Sequence, residues 1–431
     1  MATVAPSVEQ LKFLTEEEVR RVAADVGTPA FVYDEETIER TASEMTGLPN
    51  AFGLTVRYSL KACPSRAIVR LFDRLGLAFD ASSVWEVRRA VRAGVAADRI
   101  LLTAQQAELD PGLEELLDAG LNFDAGSLRQ LDTYGRARPG GRVSIRLNPG
   151  FGSGLVRRLT SGGPTSSFGI WHEDLPQAAE IVERHRLRLT RLHSHIGSGH
   201  YPDVLVRAAR TLLRHARELT DVETINLGGG YRVKAFADDP KWDHREWAET
   251  VADAIREFAA DTGRELRLEL EPGTYLMANS GSIVARVIDV TSTGPDGYTF
   301  LKIDAGLTEI IRPSYYGAPH PLVSVPAAGE RRDELEEYCV AGHCCIAGDV
   351  LTTRAGDVEQ LAPVLLPRTE PGDYLVIERA GGYCASMSLK NFNSYPEAPE
   401  LLRRKNGAFD VIRAPQTFDQ LVANERVPAD L

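Results

Sequence analysis

A lysine and an aspartate follow two short apolar runs of the chain, and their side chains suit chemistry on a carbonyl compound. Lys61 comes directly after the run Val56–Leu60, in the sequence YSLKACP. A lysine at the end of a buried strand can be partly desolvated, which lowers its pKa and lets the free amine attack an aldehyde. The alternative is an ordinary surface lysine. Asp80 ends the next run, where it can orient Lys61 or cap the following helix.

Histidine, serine and glycine residues follow two later apolar runs and suit the binding of a flat, phosphorylated ligand. In HSHIGS, the imidazole of His193 or His195 can lie on an aromatic ring, and Ser198 can donate a hydrogen bond to a phosphate. Either histidine can instead be structural. The glycine run 228–230 lets successive backbone N–H groups approach a phosphate, although three glycines can equally form a tight turn.

A carboxylate, Glu271, ends the eighth apolar run in the sequence LELEPGTYL. Such a buried carboxylate costs free energy unless it has a cationic partner, and a protonated pyridine nitrogen is a fitting one. A Schiff-base lysine, a stacking histidine, a glycine run and this anion are the parts needed to hold pyridoxal phosphate. The carboxylate keeps the ring protonated, so the cofactor withdraws electrons and stabilises the carbanion left when CO2 departs. The residues therefore predict decarboxylation.

These residues end members of a repeating pattern of short apolar runs and longer amphipathic stretches. The apolar runs are Val56–Leu60, Leu77–Asp80, Ile100–Thr103, Leu121–Asp124, Val143–Asn148, Leu189–His195, Thr224–Leu227 and Leu266–Glu271. The helical stretches include Val84–Ala93, Leu128–Arg136, Val204–Leu219 and Trp247–Thr262. Strand–helix alternation favours a parallel sheet, and eight repeats close a (β/α)8 TIM barrel, whose chemistry gathers at the C-terminal strand ends. The Gly-, Ser- and Thr-rich segment 151–167 is predicted to be a long loop at that end.

The sequence pattern changes after Gly281. Runs such as IVARVIDVTST, YTFLKIDAG, EEYCVAG and DYLVIERAG are β-branched or aromatic and are separated by turn residues. They predict a second, mainly β domain, a barrel or sandwich. We expect residues 34–281 to form the cofactor-binding barrel. Residues 282–431 then form the second domain with 1–33, whose strand-like segment Ala30–Tyr33 contributes to it.

Composition narrows the possible partners and compartments. The chain has 431 residues, enough for two domains, and a net charge of −12 without a long basic run, which argues against nucleic acid and anionic membranes as partners. The longest apolar stretches are too short to predict a membrane-spanning helix. Five cysteines, with no secretory signal at the start, predict reduced thiols and a cytoplasmic protein. Their spacing does not suit zinc, so no metal is expected.

The order of motifs along the chain resembles that of the diaminopimelate decarboxylases, within the alanine-racemase-like class of pyridoxal-phosphate enzymes. The matching motifs are YSLKACP, FDASS, HSHIGSG, LGGGY, EPGTYL, IIRPSYYGA, GHCCIAGD and GGYCASM. They extend from about Pro29 to about Pro399, almost the whole chain. The resemblance implies decarboxylation of a small amino acid, meso-diaminopimelate to lysine, by a homodimer whose subunits share the active site.

The resemblance also implies roles for individual residues. Lys61 forms the Schiff base with pyridoxal phosphate, His195 stacks on the ring, and Glu271 pairs with the pyridine nitrogen. Cys345 matches the cysteine that supplies the proton replacing CO2, from the partner subunit. The other implied cofactor-binding residues are Asp80, Ser198, Gly229, Gly230, Gly273, Thr274 and Tyr383, and the implied substrate-binding residues are Arg312, Tyr316, Ile346 and Tyr383.

Two residues depart from the family motifs. Thr274 stands where the family often has an arginine after EPG, which removes a cation near the substrate or phosphate. Ile346 stands in CIAGD where the family usually has a glutamate that receives the distal amine of diaminopimelate. Losing one charge-assisted hydrogen bond costs about 1.5–3 kcal/mol, or about 10- to 150-fold in binding. This leads to the hypothesis that the substrate is an analogue whose far end is less polar or is bound differently.

Two other functions fit parts of the pattern. One is an amino-acid racemase on the same scaffold, but racemases of this class pair the ring nitrogen with an arginine, and Glu271 argues against that. The other is a non-catalytic relative of these enzymes that binds a partner or represses a pathway. Ile346 supports it, whereas Lys61 and Cys345 speak against it because a binding module needs neither.

Overall fold

The chain forms two compact units in the computed structural model, which describes residues 8–154, 156–199, 202–240, 242–329 and 332–431. The barrel unit comprises Glu39–Val233 and 242–276, and the sheet unit comprises 8–38, Lys234–Pro240 and Met277–Leu431. The sequence predicts boundaries after residues 33 and 281 and does not anticipate that Lys234–Pro240 lies in the sheet unit. This segment forms a turn without strand or helix. Hydrophobic periodicity in the sequence therefore cannot indicate which unit it belongs to.

The first part of the chain alternates helices and strands. In chain order the elements are α1 (Glu16–Val26), β1 (Ala30–Asp34), α2 (Glu35–Thr46), β2 (Leu54–Ser59), α3 (Arg66–Arg74), β3 (Ala78–Ala81), α4 (Val84–Ala93), β4 (Ile100–Leu102), α5 (Pro111–Asp118), β5 (Asn122–Ala125), α6 (Leu128–Ala137), β6 (Arg142–Asn148), β7 (Ile170–Trp171), α7 (Leu175–Arg184), β8 (Arg188–His193), α8 (Pro202–Ala216), β9 (Thr224–Asn226), α9 (His244–Thr262), β10 (Arg267–Leu270) and α10 (Thr274–Met277).

Eight parallel strands of the barrel unit close on themselves. Strands β2, β3, β4, β5, β6, β8, β9 and β10 pair in this order, and β10 pairs with β2 to complete the ring. The two-residue strand β7 pairs with β6 beside them. Each of the eight predicted apolar runs overlaps one strand of this ring, so the predicted (β/α)8 barrel is confirmed.

Short turns connect the strands to the helices that follow. Two residues after β3, the hydroxyl of Ser83 accepts a hydrogen bond from the backbone N–H of Glu86 and caps α4. Ser127 caps α6 in the same way, two residues after β5. Such caps satisfy backbone N–H groups that a helix leaves unpaired at its start. They also restrict how far the residues at these strand ends can move.

A buried ion pair joins three strands across the inside of the barrel. Nη2 of Arg57, on β2, lies 2.9 Å from Oε1 of Glu269 on β10, and Nη2 of Arg191, on β8, donates to the same oxygen at 3.1 Å. Burial raises the pKa of Glu269, but the two guanidinium groups outweigh it and bring the pKa to about 2. We call Arg57, Arg191 and Glu269 the arginine cluster.

The rest of the chain is mainly β structure. The elements are β11 (Gly281–Ser292), β12 (Thr299–Ile303), α11 (Arg312–Tyr316), β13 (Leu322–Val325), β14 (Leu335–Ala341), β15 (Thr353–Arg354), β16 (Asp357–Leu361), β17 (Val364–Pro367), β18 (Tyr374–Ile377), β19 (Glu400–Arg403), β20 (Phe409–Arg413) and α12 (Phe418–Val422).

The sheet unit is built on one nine-stranded sheet. Its main path runs β17-β14-β12-β11-β1-β19-β20, and β18 pairs with both β11 and β13. Strand β1 lies between β11, to which it is antiparallel, and β19, to which it is parallel. One side of this region packs into a core that includes Val22, Val32, Val284, Val325 and Leu401. The predicted second, mainly β domain is therefore confirmed.

Candidate active site

Lys61 lies at the C-terminal end of the barrel strands, on a single 3₁₀ turn directly after β2. Its Nζ is 3.3 Å from Oδ2 of Asp80 and 3.3 Å from the hydroxyl of Ser82. Asp80 is buried on β3, and the hydroxyl of Ser59 donates to its Oδ2 at 3.0 Å. Of the two roles that the sequence allows for Asp80, the contact with Lys61 is present, while Ser83 caps the helix.

Glu271 is buried just after β10, the strand that pairs with β2. Its Oε1 accepts a 2.6 Å hydrogen bond from Nδ2 of Asn226, and its Oε2 lies 3.5 Å from Nε2 of His193. Nδ1 of His193 in turn lies 2.8 Å from Oδ2 of Asp124. We call Asp124, His193, Asn226 and Glu271 the histidine cluster. Burial, together with the nearby Asp80, raises the pKa of Glu271.

The two histidines of HSHIGS have different surroundings. His193 is the last residue of β8 and is buried within the histidine cluster. His195 is half-buried, and its Nδ1 accepts a 3.1 Å hydrogen bond from the backbone N–H of Gly229. The sequence treats the two as alternatives for stacking on a ring, and only His195 lies outside the packed barrel interior.

The glycine run after β9 allows a close approach between backbone segments. A Cβ at Gly228 would lie 2.6 Å from Cβ of His195, and one at Gly229 would lie 2.4 Å from the carbonyl oxygen of Glu271. Gly228 and Gly230 also have φ values of 65° and 100°, which disfavour other residues. The run therefore brings the residues that follow β8, β9 and β10 together.

Ser198, Gly230 and Gly273 lie in the segments that follow these three strands. The backbone N–H of Gly199 donates to the carbonyl of Gly230 at 2.8 Å. Ser198, the residue before Gly199, therefore lies close to the glycine run. Gly273 is buried between Glu271 and the start of α10, and Thr274 is the first residue of that helix.

The predicted loop 151–167 packs against the segment after β8. In its described parts, 151–154 and 156–167, the backbone N–H groups of Ser153 and Ser161 donate to the carbonyl of Ile196 at 2.9 and 3.2 Å. Thr160 forms an isolated β-bridge with Gly197. The loop is thus held at the end of the barrel that carries His195 and Ser198.

Several charged or polar residues of this region were not identified from the sequence. Arg146, Asp124 and Asn226 lie on β6, β5 and β9 and are buried inside the barrel. A guanidinium nitrogen of Arg146 is 3.5 Å from the carbonyl oxygen of His195. Glu86, on α4, accepts a 2.6 Å hydrogen bond from the backbone N–H of Ser82. A polar residue within an apolar strand, such as Asp124 in NFDA or Asn226 in TIN, is the feature of the sequence that could have identified them.

The predicted substrate-binding residues Arg312 and Tyr316 belong to the sheet unit, at the first and last positions of the short helix α11. Arg312 is half-buried, and its guanidinium group forms no hydrogen bond or ion pair with the side chain of another described residue. Burial and the charge of Arg312 lower the pKa of Arg379 to about 10. A guanidinium group without a carboxylate partner suits the binding of an anion.

Tyr383 also belongs to the sheet unit and has an unusual backbone conformation. Its φ of 59° lies in the left-handed region, which costs free energy for a residue with a side chain. Backbone strain of this kind is often found at residues that bind a ligand.

The two adjacent cysteines of the sheet unit differ in exposure. Cys344 is buried, its backbone N–H donates to Oδ2 of Asp349 at 2.8 Å, and burial together with this carboxylate raises its pKa to about 12. Cys345 is exposed, and Ile346 beside it has 50% of its surface exposed. Without a family resemblance the sequence leaves open which cysteine can donate a proton. Exposure favours Cys345.

The barrel-unit residues fit pyridoxal phosphate by the chemistry of their donors. The Lys61 side chain is 42% exposed, so its amine is reachable, while Asp80 beside it is buried. Oδ1 of Asp80 and Nε2 of His193 are buried without a hydrogen-bond partner in the described part of the chain. The reachable amine of Lys61 suits an aldehyde, and the buried carboxylate of Glu271, after the strand that pairs with β2, suits a protonated pyridine nitrogen.

The described residues show neither a metal site nor a membrane-spanning helix. They contain no group of three or more His, Cys, Asp or Glu side chains with the geometry to hold a metal ion. None of their helices combines the length and the apolar character needed to cross a membrane.

Comparisons with known proteins agree with this geometry. The family model "pyridoxal-dependent decarboxylase, pyridoxal binding domain" matches residues 35–278. The diaminopimelate decarboxylase of Escherichia coli K12 is 36% identical over 420 residues, which cover 96% of this chain and 97% of that protein. The diaminopimelate decarboxylase of Streptomyces coelicolor is 37% identical over 414 residues, 94% of this chain and 91% of that protein.

Solved structures give the same result. A crystal structure of a diaminopimelate decarboxylase matches with a TM-score of 0.89 at 34% identity and covers 96% of this chain and 99% of that chain. The diaminopimelate decarboxylase of Helicobacter pylori, complexed with L-lysine, shares the fold with a TM-score of 0.82 at 23% identity over 94% of this chain and 98% of that chain.

Proposed function

Because the chain belongs to the pyridoxal-dependent decarboxylases, we propose that it releases CO2 from meso-diaminopimelate or from an analogue that differs at the far end. One observation carries the proposal: Lys61 and Glu271 follow paired strands, β2 and β10. The backbone N–H of Ser59 donates to the carbonyl of Pro272 at 3.3 Å and joins the two segments directly. An amine and a carboxylate can therefore face one ring.

The barrel-unit residues have distinct roles toward the cofactor of this family, pyridoxal phosphate. When bound, it supplies an electron-withdrawing ring that accepts the electrons left behind as CO2 departs. Lys61 would hold its aldehyde carbon, and Glu271 would accept a hydrogen bond from its pyridine nitrogen. His195 would cover one face of the ring. The residues that would hold the phosphate are Ser198, Gly229, Gly230, Gly273 and the hydroxyl of Tyr383, with Thr274 beside them.

Asp80 orients the amine of Lys61 and stabilises its positive charge. The carboxylate is buried and 3.3 Å from Nζ, so it restrains a long, flexible side chain near the end of β2. Whenever the amine of Lys61 is free, Asp80 would hold it together with its proton.

Arg312 and Tyr316 are proposed to bind a carboxylate of the substrate. Arg312 carries a positive charge that no described carboxylate neutralises, and an arginine fork matches a carboxylate geometrically. Ile346 is exposed and apolar, so it cannot accept a hydrogen bond from a distal ammonium group. This favours an analogue whose far end is less polar or is bound by other residues.

Cys345 is proposed as the proton donor that completes the reaction, acting in a homodimer from the second copy of the chain. The thiol of Cys344 is buried against Asp349 and has its pKa raised to about 12, so it is the poorer candidate. Cys345→Ala should slow proton return much more than it weakens cofactor binding, whereas Cys344→Ala should leave turnover nearly unchanged. Equal rates for Cys345→Ala and the unsubstituted enzyme would remove the assignment.

Borohydride reduction followed by peptide mapping tests the cofactor site. We expect a pyridoxyl group on the peptide that contains Lys61. Its absence would favour the non-catalytic alternative. Glu271 at the ring nitrogen disfavours the racemase alternative, because an electron-withdrawing ring promotes loss of CO2.

The substrate is tested by measuring CO2 release from meso-diaminopimelate and a panel of D- and L-amino acids. We expect weak release from meso-diaminopimelate and improved release by Ile346→Glu. Ile288→Glu is the matched control, because Ile288 is also exposed in the sheet unit, at 56%. Efficient turnover of meso-diaminopimelate by the unsubstituted enzyme would show that the substrate is the ordinary one.

A further inference from the structure

Three ionisable side chains form a line inside the barrel unit, from Asp124 through His193 to Glu271. Nδ1 of His193 lies 2.8 Å from Oδ2 of Asp124, and its Nε2 lies 3.5 Å from Oε2 of Glu271. The other oxygen of Glu271 accepts a 2.6 Å hydrogen bond from Asn226. One imidazole therefore lies between two carboxylates, hydrogen-bonded to Asp124 and within ion-pair distance of Glu271. Glu271 is the carboxylate proposed above to face the pyridine nitrogen.

The line is closed to solvent. The exposed fraction is 1% for Asp124 and for His193, and 4% for Glu271. A buried carboxylate without a compensating charge tends to take up a proton. Asn226 is a neutral donor, so it can orient Glu271 but cannot supply the charge. His193 can supply it when both of its nitrogens carry protons.

The charges around the line favour a positive His193. Three carboxylates, Asp80, Asp124 and Glu271, share this end of the barrel with the cations Lys61 and Arg146. Burial lowers the pKa of His193 and Arg146 lowers it further, but Glu271 and Asp124 outweigh both, so the pKa lies above its ordinary value. In return, His193 and Lys61 lower the pKa of Glu271, which burial and Asp80 raise.

We propose that His193, oriented by Asp124, is a positioning residue that carries a positive charge and keeps Glu271 ionised, so that Glu271 can hold a proton on the pyridine nitrogen. The inference rests on the proposed function, because the ring must lie at Glu271. His193 and Asp124 would then set how strongly the cofactor withdraws electrons, through Glu271 and without touching the ring. Residues behind a ligand commonly tune it in this way.

The test uses the holoenzyme reconstituted with pyridoxal phosphate labelled with 15N in the ring, because the 15N chemical shift reports the protonation of the ring nitrogen. His193→Gln keeps a polar side chain but cannot become positively charged. We expect the protonated fraction of the ring nitrogen at neutral pH to fall, because the proton that it shares with Glu271 shifts toward a carboxylate that has lost its positive neighbour. The dissociation constant of pyridoxal phosphate should rise about tenfold.

His185→Gln is the matched control in the same unit. His185 also contacts an aspartate at 2.8 Å, through Nε2 and Oδ1 of Asp132, and is largely buried. Its removal perturbs a histidine–aspartate pair without touching Glu271, so the ring-nitrogen signal should not move. Asp124→Asn should move the signal in the same direction as His193→Gln, but by less.

A measurement on the unsubstituted holoenzyme keeps the proposal falsifiable if His193→Gln does not fold. The imidazole 15N shifts of His193 should show both nitrogens protonated at neutral pH, and a neutral imidazole would overturn the proposal. An unchanged ring-nitrogen signal in folded His193→Gln would overturn it too. Failure of the proposed function would give a different result from failure of this proposal, because Lys61 would then carry no pyridoxyl group after borohydride reduction.

Discussion

Glu269 and Glu271 lie two positions apart on the same stretch of chain, one in the arginine cluster and the other in the histidine cluster. Both are buried, at 4% exposure each. Glu269 accepts hydrogen bonds from two arginines, and its pKa falls to about 2. Glu271 has a neutral amide and a more distant imidazole, and burial and Asp80 raise its pKa.

The difference in charge balance leads us to expect that Glu269 stabilises the fold and that Glu271 binds a cationic ligand. In the arginine cluster the charge is already neutralised within the chain, so a further cation would gain little there. In the histidine cluster the neutralisation is incomplete, so a cation that approaches Glu271 gains from the pairing. A pyridinium nitrogen is such a cation.

Lys61→Ala should have the largest effect on catalysis and should confirm that the chemistry belongs to the end of the barrel that carries Glu271. Without the amine the cofactor has no covalent attachment, so CO2 release should become undetectable. The arginine cluster is unaffected, so urea unfolding should stay close to that of the unsubstituted protein. Lys302→Ala, which removes an exposed lysine of the sheet unit, is the control. Residual turnover in Lys61→Ala would break the assignment.

Glu269→Gln should have the largest effect on stability. It leaves the buried guanidinium group of Arg57 and the largely buried one of Arg191 without their carboxylate, which typically costs about 3–5 kcal/mol. Urea unfolding of the apoprotein, followed by circular dichroism, measures the free energy of unfolding. If the variant were as stable as the unsubstituted protein, Glu269 and Glu271 would not differ in the way described.

Acid should remove part of the stability contributed by Glu269. Its folded-state pKa lies below its ordinary value, so the contribution is present above the unfolded-state pKa and is lost as pH falls toward about 2. Between pH 5 and pH 3, the stability difference between the unsubstituted protein and Glu269→Gln should narrow by about 2 kcal/mol. Unfolding curves at both pH values measure it. A constant difference would mean that Glu269 is not held ionised by the arginines.

Glu271→Gln should have the smallest effect on stability, in the opposite direction. Because the pKa of Glu271 is raised in the folded state, its contribution is present below the unfolded-state pKa and is lost as pH rises through the folded-state pKa. Removing the charge should therefore stabilise the apoprotein at neutral pH, while CO2 release by the holoenzyme becomes slower. A loss of stability comparable with that of Glu269→Gln would erase the contrast.

The sequence predicts the barrel well because its signal is local. Each strand is an apolar run, and residues such as Lys61, Asp80 and Glu271 stand out at the ends of these runs. Their order along the chain already indicates which strand carries each residue. The eight-fold alternation then places them at one end of a closed sheet.

The partners of these residues could not be predicted in the same way. His193 and Asp124 are 69 positions apart, and Asn226 and Glu271 are 45 apart, so their contacts exist only after the barrel closes. A histidine at a strand end looks the same in sequence whether it stacks on a ring or bridges two carboxylates. The division between His193 and His195 therefore depends on the direction in which each side chain points.

The central place of β1 in the sheet unit has a consequence for synthesis on the ribosome. Phe31 pairs with Ile283 on one side and with Glu400 on the other. Strand β1 is therefore synthesised long before its partner β19. The barrel strands are all made before β11 emerges, and a domain whose chain is complete can fold while synthesis continues. The edges of β1 stay unpaired throughout that interval, and unpaired strand edges promote aggregation. The order of synthesis therefore predicts that the N-terminal strand joins its sheet after the barrel strands have been made.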